Sequence, residues 1–313
     1  MINEKNGKVV KGLGGLYNIR VEEDGGVNIY SCRAKGSLHK DEEKLLIGDN
    51  VRISIDDETP DSIVVSEIFE RKNALIRPPM ANLDYLFMVF AAKKPAPVLE
   101  VVDKLIAIAV HNSIVPVVIV TKMDLSDSLA SEYAAIYKNA GIDTFVTSAE
   151  SGEGISALAE YIETNIKSGT TAAFAGASGV GKSTLMNALF PGLGLSTSEI
   201  SKKIERGRHT TRHVEIFDIN NDGCSGGFLA DTPGFSLVDF ARFDFFSLEE
   251  LPVTFTDILP YADGCTYSDC AHVGEGRDEC AVARAAEEGK IAPSRLESYR
   301  NIYRILKEKK NQF

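Results

Sequence analysis

What this 313-residue chain has little of narrows its class first. No apolar run approaches the ~20 residues that cross a bilayer, and no apolar stretch follows Met1 as a secretory leader would. A cytoplasmic protein with no membrane partner is therefore expected. Cysteine is scarce and odd in number, at five, which disfavours a disulfide framework and leaves metal binding as the better question. Positive charge is in deficit, with 34 Lys and Arg against 45 Asp and Glu and a net charge of -11. That argues against gross non-specific nucleic-acid binding, although a local basic face stays open because the field that matters is local. No internal repeat or low-complexity segment is found. What is present is a globular composition, 44% hydrophobic and 25% charged, in a chain long enough for two or three domains.

The first 71 residues read as all-β. Alternating or apolar stretches at 9–21, 27–33, 50–55 and 63–68 are separated by Gly25-Gly26, Gly36 and the Thr59-Pro60-Asp61 turn. Short strands at this density suit a small barrel of the OB type, or a β-domain that only packs on its neighbour. After Arg77-Pro78-Pro79 the pattern changes. Strands are expected at 83–92, 115–120, 144–147 and 171–175, and helices at 98–111, 128–139, 154–166 and from Lys182. Such alternation implies a mostly parallel sheet covered by helices on both faces. Strands at 214–219 and 228–230 would extend it. Beyond about Val238 the pattern is irregular, and a helix over 294–309 closes the chain.

Three motifs carry chemistry. Gly176-Ala177-Ser178-Gly179-Val180-Gly181-Lys182-Ser183, continued by Thr184, fits the phosphate loop G-x-x-x-x-G-K-[ST] between a strand and a helix. Its glycines let backbone N–H groups curl around phosphates, Lys182 supplies charge to the β/γ-phosphates, and the Ser183 hydroxyl suits Mg²⁺. Asp231-Thr232-Pro233-Gly234 follows a strand, so Asp231 is placed to hold Mg²⁺ and the Gly234 N–H to meet a γ-phosphate. Thr121-Lys122-Met123-Asp124 ends another strand and resembles the guanine-reading [NT]-K-x-D signature. Asp124 would accept from guanine N1–H and the 2-amino group, a donor pair adenine lacks, with the Lys122 stem stacked on the base. Thr147-Ser148-Ala149, ending the next strand, looks like the companion element whose backbone N–H meets guanine O6.

Two further features are unusual. The base-reading pair precedes the phosphate loop, the reverse of the common GTPase order, so the fold is expected to be circularly permuted with its pocket preserved. In addition, Cys265, Cys270, His272 and Cys280 fall within 16 residues. Three thiolates and one imidazole suit a closed, tetrahedral, structural zinc site, a staple for a short segment lacking a sizeable core. Cys32 and Cys224 read as packing thiols.

The permuted order, the barrel-like start and the Cys-x4-Cys-x-His cluster together resemble the ribosome small subunit-dependent GTPase A family. The likeness extends over nearly the whole chain and includes the linker RPPMANLDYLF at 77–87 and Gly48-Asp49-Asn50-Val51. It implies an all-β OB-type barrel over 1–71, a circularly permuted α/β P-loop GTPase domain over 72–237, and a small, mostly helical zinc-binding domain over 238–313. It also implies GTP hydrolysis stimulated by the 30S subunit in late 30S maturation, with 16S rRNA touched by both end domains and a monomeric state. Two departures stand out: Thr121 replaces a commoner Asn, and the His272–Cys280 spacing is longer than the family's usual one.

The hydrolytic machinery is less complete. Phe235 follows Asp231-Thr-Pro-Gly where Ras-like GTPases carry a water-orienting Gln, and an aromatic ring cannot orient water by hydrogen bonding. A low intrinsic rate follows. The Gly207–Arg212 stretch occupies the effector-loop position, where Thr210 or Thr211 would ligate Mg²⁺. The family's closing Thr-Thr pair favours Thr211. His209 there either positions the water or contacts RNA. Basic residues near the ends, Arg295, Arg300, Arg304, Lys307, Lys309 and Lys310, and Lys8, Lys11, Arg20, Arg33, Lys35 and Lys40 in the barrel, fit phosphate contacts on structured RNA. The alternative reading is a non-hydrolysing guanine-nucleotide sensor that binds structured RNA.

Overall fold

A computed structural model describes residues 2–24, 26–34, 44–56, 59–191, 214–219, 227–231 and 239–312, without the side chains of 2, 59–62 and 231. The chain divides into two compact units. One holds Met1–Asp84, Asn165–Ala173 and Gly207–Gly234, and the other holds Tyr85–Thr164, Phe174–Arg206 and Phe235–Phe313.

The first unit opens with five strands: β1 (Ile2–Leu13), β2 (Leu16–Glu23), β3 (Gly26–Ala34), β4 (Asn50–Asp56) and β5 (Thr59–Ile68). Antiparallel pairs β1–β2, β2–β3, β4–β5 and β1–β4 combine with the parallel pair β3–β5 to close an OB-like barrel. Alternation puts Val9, Ile19, Val21, Val51, Ile53 and Val65 into its core. The single stretch expected at 9–21 is in fact a hairpin. Gly14 and Gly15 both adopt positive φ, 60° and 81°, which a two-residue turn of this hand requires. Leu13 and Leu16 continue the apolar pattern across the turn, which hides it in the sequence, yet both are exposed.

The Gly48-Asp49 corner explains its own residue types. Gly48 has φ 94°, and a Cβ there would lie 2.1 Å from Ala81 O. Asp49 is fully buried and accepts from Arg71 Nε at 2.7 Å and Nη2 at 2.8 Å, and from Leu46 N at 2.7 Å. Ala81 belongs to a short antiparallel pair, β6 (Ala74–Leu75) and β7 (Met80–Ala81).

The second unit is built on parallel strands β8 (Tyr85–Ala91), β9 (Val115–Thr121) and β10 (Asp143–Val146). Leu86–Ala92 and Val117–Val120 are buried throughout, the continuous apolar pattern of strands covered on both faces. Between them run α1 (Leu99–His111) and α2 (Asp127–Asn139), followed by α3 (Ile155–Asn165). Strand β11 (Thr171–Ala175) ends in this unit, where Phe174 stacks on Phe87 with centroids 4.8 Å apart, and α4 (Lys182–Leu189) follows. The C-terminal segment carries α5 (Leu259–Ala262), α6 (Ala281–Glu287) and α7 (Pro293–Lys310). Arg295 of α7 fastens it. Its side chain, 1% exposed, donates to Asp103 of α1 at 2.9 Å and to Asp257 at 2.7 and 3.1 Å. Among the described residues no helix is long and apolar enough to cross a membrane.

Much of the positive charge offered by the sequence for RNA is used internally. Arg295 is buried in that triad, Arg300 donates to His272 O, and Arg304, Lys309 and Lys310 pair with Glu297, Asp244 and Glu249. In the barrel Lys11 pairs with Glu215 and Arg20 with Asp218, while Lys8 is buried; Arg33 is exposed. Lys35 and Lys40 lie outside the described residues.

Burial lowers the Lys8 ammonium from its ordinary 10.5 to about 8. The unfolded chain then binds a proton that the folded one releases, so stability rises as pH passes upward through 8. From pH 7 to 9 the unaltered chain should gain about 1 kcal/mol over the Lys8→Met variant, measured by urea unfolding at both pH values.

Candidate functional site

The two loops expected to read base and phosphates meet in the second unit. Thr121 is the last residue of β9, and its buried hydroxyl donates to Val180 O at 2.6 Å, with Phe90 O at 3.1 Å. Lys122 turns the chain with φ 56° and ψ 42°, which throws its side chain across to the phosphate loop. There Nζ donates to Gly179 O at 2.6 Å and to Lys94 O at 2.9 Å. Asp124 Oδ1 accepts from Ser148 Oγ at 2.6 Å, joining the two loops expected to read the base. No other described residue bonds Asp124, so Oδ2 is open to a ligand.

The second loop is shaped by a close approach. Gly154 has φ 74°, and a Cβ there would lie 2.0 Å from Val146 O, so only glycine lets the 148–154 turn close back on β10. Ser148 N donates to Glu153 O, and Ser148 Oγ accepts from Ser151 N. A cavity of about 300 Å³ is lined by Thr121, Lys122, Asp124, Leu125, Thr147, Ala149 and Glu150, together with Gly181, Thr184 and Leu185. Thr147 belongs to the expected companion element, whereas Leu125, Glu150 and Leu185 were absent from the sequence reading. Their only signal was adjacency to motif residues. Thr147 Oγ1 is buried without a hydrogen-bond partner among the described residues.

The phosphate loop has the backbone its glycines imply. Gly176, Gly179 and Gly181 take φ of 155°, 78° and 95°. A Cβ on Gly176 would lie 2.1 Å from Val89 O, while Val180 is buried as the loop's apolar anchor. Lys182 begins α4, and its ammonium donates to Gly176 O at 2.6 Å and Ala177 O at 2.9 Å, over the loop's own backbone. Ser183 and Thr184 follow in the first turn of α4, where free N–H groups and the helix dipole favour an anion. Ala177 and Ser178 complete the loop. In the first unit, Asp231 is the final residue of β13 (Phe228–Asp231), paired with Glu215 of β12 (Glu215–Asp218). Its side chain, Gly234, His209, Thr210, Thr211 and Phe235 lie outside the described residues, as does Cys224.

Away from this pocket, Cys265, Cys270, His272 and Cys280 present ligand atoms all within 4.8 Å of one another. His272 Nδ1 is 3.5, 3.4 and 3.5 Å from the sulfurs of Cys265, Cys270 and Cys280, and the Cys265 and Cys280 sulfurs are 3.9 Å apart. His272 reaches this position through φ 61°, held by Arg300 on its carbonyl. Cys280 caps α6, its sulfur accepting from Ala283 N at 3.3 Å, so a thiolate there faces a helix N-terminus. Burial pushes the Cys270 thiol up to about 12 and holds the His272 imidazole below its ordinary value. A metal ion needs that imidazole neutral and supplies the charge that ionises the thiols, so the four residues are able to hold one.

The comparisons with known proteins agree with this geometry. The RsgA GTPase family matches residues 68–241, and the RsgA N-terminal domain matches 6–63. The Small ribosomal subunit biogenesis GTPase RsgA of Geobacillus thermodenitrificans is 37% identical over 311 residues, 98% of this chain and 99% of its own. The protein of that name from Bacillus subtilis is 36% identical over 312 residues, with the same coverage. The crystal structure of YloQ, a circularly permuted GTPase, matches with a TM-score of 0.74 at 32% identity, over 98% of this chain and 96% of that one. YjeQ from Thermotoga maritima gives 0.76 at 32% identity, over 97% and 99%. With barrel, permuted nucleotide half and Cys/His cluster all inside the matched length, the chain belongs to the RsgA GTPase family.

Proposed function

We propose that the chain binds and hydrolyses GTP and acts in biogenesis of the small ribosomal subunit, stimulated by the 30S particle. The observation that carries the nucleotide reading is the pair of bonds from one loop to the other, Thr121 to Val180 O and Lys122 to Gly179 O, with Asp124 beside them. They hold a carboxylate able to read guanine at one end of a cavity whose other wall is the phosphate loop. Asp124 Oδ2 meets the N1–H and 2-amino donors, and the backbone of Ser148 and Ala149 faces O6. Gly176 to Thr184 wrap the phosphates. Lys182 exchanges its carbonyl partners for β/γ-phosphate oxygens, which are stronger acceptors.

Ser183 with Thr211 and Asp231 would hold Mg²⁺, which neutralises charge on the phosphates when bound. The motif assigns the Gly234 N–H to the γ-phosphate, and the effector-loop position assigns His209 to the attacking water or to RNA. The small-subunit partner comes from the relatives' names, and 16S rRNA is what an OB-type barrel would meet there. We assign a monomer organised as barrel 1–71, nucleotide domain 72–237 and metal domain 238–313, and a cytoplasmic setting.

Zinc is the ion assigned to Cys265, Cys270, His272 and Cys280. A tetrahedron with Zn–S of about 2.3 Å and Zn–N of about 2.0 Å has S···S edges of about 3.8 Å and S···N edges of about 3.5 Å. The distances between these four residues, 3.9 Å and 3.4 to 3.5 Å, fit it. With four ligands the site is closed to substrate, so its role is structural.

Three measurements test this. GTP turnover should rise at least about 10-fold with added 30S subunits and not with 50S, since a partner must complete the water site. Binding without turnover under both conditions would favour the sensor. Asp124→Asn should weaken GTP about 100-fold in competition binding and leave ATP where it was, because the buried donor pair loses its charged acceptor. Elemental analysis should find one zinc per chain. Its chelation should lower the melting temperature, an effect Cys280→Ala reproduces without added chelator.

A further inference from the structure

The nucleotide reading leaves unexplained a group of charges in the first unit. Strands β12 and β13 form an antiparallel pair whose ends run into the two stretches assigned to phosphate sensing. β12 starts just after Gly207–Arg212, and β13 ends on Asp231. This pair is held by the barrel. β1 adds to the edge of β12 with Lys11 opposite Glu215, and the Lys11 ammonium donates to Glu215 Oε1 at 2.9 Å.

Arg20 of β2 makes the stronger attachment. Its side chain is 9% exposed, its Nε is 2.7 and 2.9 Å from the two oxygens of Asp218, and Nη1 donates to Glu22 at 2.8 Å. Its guanidinium lies 5.1 Å from the centre of the Phe228 ring, and the Lys8 ammonium lies 5.2 Å from it. Asp218 and Phe228 are themselves cross-strand partners. One buried arginine therefore holds both members of the pair at the same rung, by charge on β12 and by the face of an aromatic ring on β13.

The register carries this grip to the reacting end. Glu215, at the other end of the four-residue ladder, is the cross-strand partner of Asp231. Lys11 pairs with Glu215 on that rung and so fixes the register of β1 against β12. The barrel thus sets the position of the strand pair on which Asp231 lies.

We infer that Arg20, with Lys11, is a positioning residue for GTP hydrolysis, through which the barrel holds the Asp231 end of β13 in its productive place. A load on the barrel's surface then reaches the phosphate end through two strands. This deepens the proposed GTPase reading and rests on it.

The test uses the full chain with Arg20→Gln, Asp218→Asn, the two combined, and Arg20→Lys. Turnover is measured with and without 30S. Binding of a fluorescent non-hydrolysable GTP analogue is followed against Mg²⁺. Each single variant should lower kcat by about 10- to 100-fold, the cost of a small misplacement near the reacting centre, and raise the Mg²⁺ needed for half-maximal analogue binding. KM for GTP and 30S affinity should hold within about twofold, and the double variant should match the worse single one, as members of one unit do. Arg20→Lys keeps the charge without the planar fork, so it should fold and recover part of kcat.

A fall in melting temperature alone, with kcat and Mg²⁺ dependence unchanged, makes Arg20 a purely structural residue and overturns the inference. If Arg20→Gln does not fold, Arg20→Lys decides by the same two readouts. Absence of turnover and of Mg²⁺-dependent binding in the unaltered chain overturns the GTPase reading instead.

Discussion

Everything at the nucleotide site depends on one short contact, the Lys122 ammonium on the carbonyl of Gly179. These residues are 57 positions apart, and the bond fixes the distance between the carboxylate assigned to the base and the loop assigned to the phosphates. Thr121 on Val180 O repeats the tie from a buried hydroxyl. Because Lys122 sits in a left-handed turn at a strand end, its long side chain is aimed by the backbone before any ligand arrives. The tie also accounts for Thr121. A hydroxyl is enough to bond Val180 O, so the residue's place in the motif is met by an acceptor on the loop rather than by the base.

What was legible in the sequence was what local chemistry writes down. Gly176, Gly179 and Gly181 announced a loop because their φ values are open only to glycine. The run Val117–Val120 announced a buried parallel strand, since nothing polar interrupts it. The Cys/His spacing announced a metal site, since a thiolate cluster has few other uses within so short a span. What was not legible needed partners far along the chain. The Gly14-Gly15 hairpin was masked by leucines on either side of it. The fate of Arg20, Lys11 and Arg295 was invisible, because a basic residue reads the same whether it meets RNA or a carboxylate across the barrel. Glu150 lacked any residue-type signal and enters the cavity through the fold of its loop alone.

The two charge systems do different work. Lys11 and Glu215 are both about two-fifths exposed, so their attraction is screened and chiefly sets register. Arg295 with Asp103 and Asp257 is buried, where a pair gains little over an apolar substitute but the loss of one member costs about 3–5 kcal/mol. A buried triad of this kind is therefore a lock. Its value lies in what becomes intolerable when a partner is missing, and it ties the irregular C-terminal segment to the first helix of its unit.

That lock has a bearing on how the protein is made. Asp103 leaves the translating ribosome long before Arg295, which lies 192 residues further on. Until the last helix has been synthesised, α1 holds an interior carboxylate with no cation to answer it, so its hydrophobic face cannot settle against the sheet at low cost. The part that handles the nucleotide is thereby finished only when nearly the entire polypeptide is. Prematurely terminated copies would keep an interior carboxylate without the cation that answers it.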